Sequence, residues 1–197
     1  MQRVKKILLV TFLVCNYISY NAQNSDIKTL RSINSHRNSN LDGFFKGLTD
    51  SDAPVAILSP ALIFTIGLIN KDSLTKAKGI EIAGSLLISS IFTTGLKHSI
   101  KRDRPFVTYP DIEQLAPAGS PSFPSGHTSM AFASATSFSI ICPKWFVIIP
   151  AYLWASSIGY SRMHLGVHYP SDVLVGAVIG SGSSLLSRFL NKKLRGK

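Results

Sequence analysis

Three separate stretches of the sequence hold cationic and imidazole side chains that could bind a phosphate group. Their cations, which outnumber the acids nearby, are Lys97, Arg104 and Arg162. Guanidinium groups match the oxygens of a phosphate, and lysine adds a point charge, so the ligand that these three could share is a phosphate. The sequence therefore predicts a phosphate site at the point where the three stretches converge.

The segment Pro124-Ser-Gly-His127 precedes a long uncharged run and has the composition of a helix start. The N-terminus of a helix exposes unpaired N–H groups and partial positive charge, both of which favour phosphate. Gly126 permits close approach of the backbone to a ligand, and the Ser125 hydroxyl can cap the helix or bond a phosphate oxygen. His127 would face the same anion. A serine N-cap followed by an incidental histidine explains this segment equally well when it is considered alone.

His168 and Asp172 are four residues apart, on either side of Pro170-Ser171, which is typical of a helix start. Asp172 would then lie in the first turn, where its carboxylate could accept a hydrogen bond from one imidazole nitrogen of His168. Such a bond fixes the tautomer and leaves the other nitrogen free as a nucleophile. The alternative is an interfacial histidine near an acid that simply favours a helix N-terminus.

The elements that would position these residues are uncharged runs. Five of them follow a polar segment, at residues 53–70, 82–96, 128–143, 145–161 and 173–187. Each is at the lower edge of the about 20 apolar residues that cross a bilayer. We predict an all-α fold, a bundle of five to six short transmembrane helices with the active site on periplasmic loops. Buried helices of a soluble all-α protein are the alternative.

The formal net charge of +11 is distributed in short clusters between the apolar runs. No docking motif or basic face with stacking aromatics accompanies them, so we expect no nucleic-acid partner. The positive-inside rule places the connection 71–79, Lys144 and the C-terminus in the cytoplasm. The connection 97–126 is also basic but would lie on the opposite, periplasmic side. We interpret its charge as functional rather than as a determinant of topology.

The chain divides into four parts by composition. Residues 1–22 have a basic start, an apolar core and Ala22, which predict a signal peptide or an uncleaved N-terminal anchor. Residues 23–53 would form a periplasmic segment, 54–190 the catalytic domain and 191–197 a basic cytoplasmic tail. The two cysteines, Cys15 and Cys142, lie in apolar runs and do not predict a disulfide framework.

Taken together, the three motifs resemble the type 2 phosphatidic acid phosphatase superfamily, with its signature K-x6-RP, PSGH and SR-x5-H-x3-D. Every signature position is filled in order, and the resemblance covers about residues 80–190. It implies a metal-independent phosphatase without a cofactor, in which His168 is the nucleophile that forms a phosphohistidine. By the same resemblance, Asp172 orients His168 and His127 is the general acid. The groups that would hold the phosphoryl oxygens are Lys97, Arg104, Ser125, Gly126 and Arg162.

The leading functional prediction is a multi-pass enzyme of the bacterial inner membrane that faces the periplasm and removes phosphate from a lipid phosphate or lipid pyrophosphate. A soluble, exported, non-specific acid phosphatase acting on small esters is the main alternative. A vanadium-dependent haloperoxidase and a membrane scaffold with an inactive site are two further alternatives. The resemblance leaves the lipid open among isoprenyl pyrophosphate, phosphatidylglycerol phosphate, phosphatidic acid and the phosphates of lipid A.

Overall fold

Long helices dominate the computed structural model, which describes residues 24–196 and has no strand in that range. The all-α prediction is confirmed. Helix α1 covers residues 24–35, and a short 3₁₀ turn, Ser39–Leu41, leads into α2. The remaining elements are α2 (Asp42–Asp50), α3 (Asp52–Ile69), α4 (Ser73–Ile100), α5 (Pro105–Thr108), α6 (Gly126–Ile141), α7 (Trp145–His164) and α8 (Pro170–Leu194). The five predicted spans correspond to α3, α4, α6, α7 and α8, whereas the predicted signal segment lies outside the described residues.

Local signals in the sequence explain where several of these helices begin and end. Asp72 caps α4, accepting a hydrogen bond from the Leu74 amide at 2.8 Å, and Lys101 ends that helix in a left-handed conformation with φ of 52°. Pro105 and Pro170 begin α5 and α8, where a proline costs no intrahelical hydrogen bond. The five prolines between residues 105 and 124 disfavour regular helix there, and α5 is a helix of only one turn.

Helix α6 lies at the centre of the bundle and packs against α4, α7 and α8. Small side chains permit this close packing, because Gly176 and Gly180 on α8 face the α6 backbone. A Cβ atom at Gly176 would lie only 2.7 Å from the Ser125 carbonyl oxygen. The backbones therefore approach as in other small-xxx-small helix pairs. This contact brings the N-termini of α6 and α8 together, and with them two of the three motifs.

Apolar side chains cover much of the outer surface of the bundle. Val178 and Ile57, for example, are 72% and 69% exposed. In the described part of the chain, three helical stretches are long and apolar enough to cross a membrane: Ser39–Ile69, Ser73–Thr108 and Pro170–Leu194. Helix α6 has only 16 residues and is shielded by its neighbours, and α7 carries Arg162 and His164 in its last turn. These two helices complete the bundle, although they are not among the stretches that are long and apolar enough to cross a membrane.

The polar segment before the first span is helical and packed. Helix α2 packs against α7. Helix α1 buries Ile27 and Leu30 against Ile112 and Tyr169. Asn34 is 1% exposed and binds both the amide and the carbonyl of Glu113, at 2.9 and 3.1 Å. The segment therefore belongs to the same folded unit as the three motifs.

Candidate active site

A cavity of about 530 Å³ lies where the C-terminal ends of α4 and α7 meet the N-terminal end of α6 and the loop before α8. Six of the eight predicted site residues line it: Lys97, Arg104, Gly126, His127, Arg162 and His168. Asp172 lies directly behind His168. The eighth residue, Ser125, occupies the N-cap position of α6 but is fully buried, and its hydroxyl accepts a hydrogen bond from Thr128 at 2.8 Å rather than capping the helix. The fold thus brings all three motifs to one place.

The cations of the cavity are held by neutral groups. Lys97 donates to the Pro121 carbonyl at 2.5 Å. Arg104 donates through Nε to the Ser120 carbonyl at 2.9 Å and through Nη1 to the Val167 carbonyl at 2.8 Å. None of Lys97, Arg104 and Arg162 forms an ion pair with a carboxylate of residues 24–196. Three cationic side chains without an ion pair at one cavity favour an anionic ligand.

The Arg162 guanidinium has a hydrogen-bond donor without a partner among residues 24–196. The residue is 2% exposed, and its Nη1 donates to the Thr49 hydroxyl at 3.3 Å. Its Nε atom has no hydrogen-bond partner in the described part of the chain. A buried guanidinium N–H without a partner is costly, so a ligand oxygen that accepted from it would be bound favourably.

His168 and Asp172 are both buried, at 2% and 0% exposure. The His168 Nδ1 atom faces Asp172 Oδ2 at 3.4 Å, and Nε2 lies 3.2 Å from Arg104 Nη1. Because a guanidinium only donates, Nε2 must accept, and the ring proton is therefore on Nδ1. Burial lowers the pKa of His168 to about 3, with Asp172 opposing the shift. The imidazole is thus neutral and points a lone pair towards the cavity.

Asp172 is fixed by more partners than the sequence indicated. Its Oδ2 also accepts from the Ser122 hydroxyl at 2.5 Å and from the Tyr169 amide at 3.0 Å. Its Oδ1 forms an ion pair with Arg102 at 2.7 Å. Arg102 belongs to the basic connection 97–126, and its guanidinium points inward, to Asp172. Ser122 lies in a proline-rich loop, and no sequence pattern marked it.

The first turn of α6 presents Gly126 and His127 to the cavity. The His127 side chain is half-buried and has no hydrogen-bond partner among residues 24–196. It is therefore available to a ligand.

Asp52 is a cavity residue that sequence reasoning missed. It lies at the start of α3, is 6% exposed, and its Oδ1 has no partner in the described residues. His164, by contrast, is structural: its Nε2 binds Asp42 at 2.7 Å, outside the cavity. Within residues 24–196, no group of three or more histidine, cysteine or acidic side chains is placed to hold a metal ion.

Comparison with known proteins identifies the family. The family model of the PAP2 superfamily matches residues 78–195, which include all three motifs and the whole cavity apart from Asp52. The chain belongs to the PAP2 superfamily. An undecaprenyl-diphosphatase of Sulfolobus acidocaldarius is 32% identical over 114 residues, which are 57% of this chain and 55% of that protein. The chain thus spans about half the length of this curated PAP2 relative.

Two solved structures share the fold. LpxE from Aquifex aeolicus superposes with a TM-score of 0.71 and 30% identity, over 82% of this chain and 93% of that one. A transmembrane PAP2 type phosphatidylglycerolphosphate phosphatase from Bacillus subtilis superposes with a TM-score of 0.71 and 26% identity, over 88% and 87% of the two chains. The bundle is therefore that of the transmembrane PAP2 proteins, and the protein is embedded in a membrane.

Proposed function

We propose that this PAP2 protein is a phosphatase that removes phosphate from a lipid phosphate or lipid pyrophosphate through a phosphohistidine intermediate. The observation that supports it most is the cavity itself, where three cations without ion pairs surround a neutral histidine whose Nε2 lone pair faces Arg104. Two of the three proteins named above are an undecaprenyl-diphosphatase and a phosphatidylglycerolphosphate phosphatase. Together with the exposed apolar faces of the bundle, they favour a lipid over the small soluble esters of an exported acid phosphatase.

The cationic side of the cavity binds the phosphoryl group. Arg162 Nε, Lys97 and Arg104 would bind its oxygens, together with the Gly126 amide at the N-terminus of α6. When Arg104 turns to a phosphoryl oxygen, it releases the Nε2 lone pair of His168, so substrate binding uncovers the nucleophile. These preorganised donors also stabilise the charge that spreads over the phosphoryl oxygens in the transition state.

Reaction then proceeds in two displacements. In the first, His168 Nε2 forms a bond to phosphorus as the bond to the leaving oxygen breaks, and His127 gives a proton to that oxygen. Burial and the three nearby cations lower the pKa of His127 to about 4, and the negative charge of the bound phosphate raises it again, so that His127 is protonated in the complex with substrate. Asp172 stabilises the positive charge that develops on the imidazole. In the second, a water molecule loses a proton to His127 and attacks phosphorus. The P–N bond breaks, its electron pair returns to His168, and inorganic phosphate leaves.

We place the enzyme in the bacterial inner membrane with the cavity facing the periplasm. All the helix ends that form the cavity are at one end of the bundle. The opposite end holds the α3–α4 turn, the α6–α7 turn and the C-terminus of α8. That end is basic, with Lys71, Lys144, Lys192 and Lys193. The positive-inside rule puts such an end in the cytoplasm.

Phosphate release by the full chain in detergent tests this function. The substrates are dispersed lipid phosphates, including a polyprenyl diphosphate and phosphatidylglycerol phosphate, and a small soluble ester, all without added metal. We expect turnover of a lipid substrate to exceed that of the soluble ester and to be abolished in His168→Ala. His36→Ala, which alters an exposed histidine on the segment after α1, is the matched control and should keep full activity. Equal turnover of the soluble ester would favour the acid phosphatase.

A further inference from the structure

Helix α1 precedes the matched family region, yet it contacts the catalytic motif. Asp26 on α1 is 8% exposed and forms an ion pair with Arg102 at 2.9 Å. Arg102 in turn forms the ion pair with Asp172 at 2.7 Å. A chain of two ion pairs therefore runs from α1 to the carboxylate behind His168.

Arg102 is held on every side. Its Nη1 donates to Asp172 and to the Ser171 hydroxyl, both at 2.7 Å, while Nη2 donates to Asp26. Its guanidinium lies 3.8 Å from the centroid of the Tyr169 ring, within the range of a cation–π contact. A guanidinium is suited to this position because its planar fork can bind two carboxylates at once, which a lysine ammonium does less well.

Asp26 also reaches the start of α8. Its Oδ1 accepts from the Ser171 amide at 2.9 Å, and the carboxylate accepts from the Ser171 hydroxyl. Ser171 is in the first turn of α8, where backbone N–H groups lack intrahelical partners. Helix α1 thus supplies an external cap to the turn that carries Asp172.

These contacts determine the orientation of Asp172. Arg102 occupies Oδ1, and Oδ2 accepts from Ser122, Tyr169 and His168. Within the described residues, Arg102 is the one arginine or lysine that forms an ion pair with Asp172. A fully buried carboxylate that loses such a partner is strongly destabilised and rearranges or takes up a proton. Either change would remove the acceptor that holds the His168 tautomer.

We propose that Asp26 and Arg102 are positioning residues for phosphoryl transfer, and that α1 is a brace that fixes the Asp172–His168 pair from outside. This inference rests on the proposed phosphatase activity. It assigns the N-terminal helix to the catalytic unit, where it acts through Arg102 without touching the substrate. The brace makes catalysis depend on Asp26, which lies 76 positions before Arg102 in the sequence.

Steady-state kinetics of full-length variants in detergent test the brace. Arg102→Gln should lower kcat by about 10- to 100-fold, the range typical of groups that orient a functional histidine from behind, and leave KM nearly unchanged. Arg102→Lys should keep part of the activity, because an ammonium can still pair with one carboxylate. Asp26→Asn should lower kcat by less than Arg102→Gln does. Helix α1 should remain docked in this variant, because the buried contacts of Leu30 and Asn34 are intact.

A double variant separates positioning from general stability. If Asp26 acts through Arg102, adding Asp26→Asn to Arg102→Gln should reduce kcat no further. The matched control is Arg31→Gln, which removes a surface ion pair between α1 and Asp111 at 2.6 Å and should leave kcat unchanged. If Arg102→Gln does not fold, Arg102→Lys and Asp26→Asn carry the test.

Three results would overturn the brace: wild-type kcat in Asp26→Asn, a rise in KM alone in Arg102→Gln, or a loss in Arg31→Gln as large as in Asp26→Asn. The proposed function fails separately, if the wild type releases no phosphate or His168→Ala keeps its activity.

Discussion

Substitution of His127 by alanine isolates the proposed proton transfer to the leaving group. His127 lines the cavity without a hydrogen-bond partner among residues 24–196, so its removal leaves no buried group unpaired. We therefore expect little change in the thermal stability of the variant. The cost should appear in the reaction instead, and only where the leaving oxygen needs a proton.

The expected magnitude follows from this role. A positioned general acid accelerates a reaction by about 10²–10⁴, or about 2.7–5.4 kcal/mol at 1.36 kcal/mol per tenfold. A lipid alkoxide is a poor leaving group and should lose this full factor in His127→Ala. An acidic phenol leaves without full protonation and should lose far less. The two losses should therefore differ by at least about tenfold.

The assay compares two lipid analogues with the same tail, an alkyl phosphate and an aryl phosphate. The measured quantity is kcat/KM, because it reports the steps up to the first phosphoryl transfer and excludes hydrolysis of the phosphohistidine. His98→Ala is the matched control, since His98 also lines the cavity but binds the Thr94 carbonyl at 2.8 Å. Equal losses for the two analogues would refute His127 as the general acid.

Three further predictions concern the donor set, acidity and packing. Arg162→Lys keeps the positive charge but loses the unpaired Nε–H. The value of kcat/KM for a lipid phosphate should therefore fall by about 10²–10³, as it does when other preorganised donors are removed. A loss under tenfold would contradict the role of Arg162 as a phosphoryl donor. Because the pKa of His168 is about 3 when folded and 6.5 when free, the folded state binds fewer protons between these values. The melting temperature should therefore fall as the pH decreases from about 6.5, and less steeply in His168→Gln; equal slopes would exclude this cause. Gly176→Ala places a Cβ 2.7 Å from the Ser125 carbonyl oxygen and should destabilise the protein by about 1–3 kcal/mol. Gly182→Ala is the control, because a Cβ there has no neighbour within 4 Å. Equal melting temperatures of the two variants would contradict the close packing of α8 on α6.

The sequence predicted the features that depend on local spacing. Uncharged runs marked the five long helices. His168 and Asp172 could be paired because four residues across a helix start place both side chains on the same side. Lys97 and Arg104 could be assigned to one site because the superfamily signature links them.

Contacts between distant segments were not predictable in this way. The sequence around Arg102 is that of an exposed basic segment. Only the position of α1 shows that Arg102 faces Asp26 and Asp172. Ser122 lies in a loop whose prolines indicated irregular structure. They did not indicate which residue the Ser122 hydroxyl would bind. Asp52 begins an apolar helix. An acid is common at this position because it interacts favourably with the helix dipole, so its presence did not indicate a cavity residue. Each of these residues gains its environment from tertiary packing, which a single sequence does not encode in a short pattern.

Detection of a phosphoryl group on His168 tests the central claim most directly. Wild-type protein mixed with a labelled lipid phosphate and quenched within one turnover should carry one acid-labile phosphoryl group, and peptide mapping should locate it on His168. His168→Ala should carry none and release no phosphate. Turnover by the wild type with no protein-bound phosphoryl group at any time point, together with activity in His168→Ala, would contradict the mechanism.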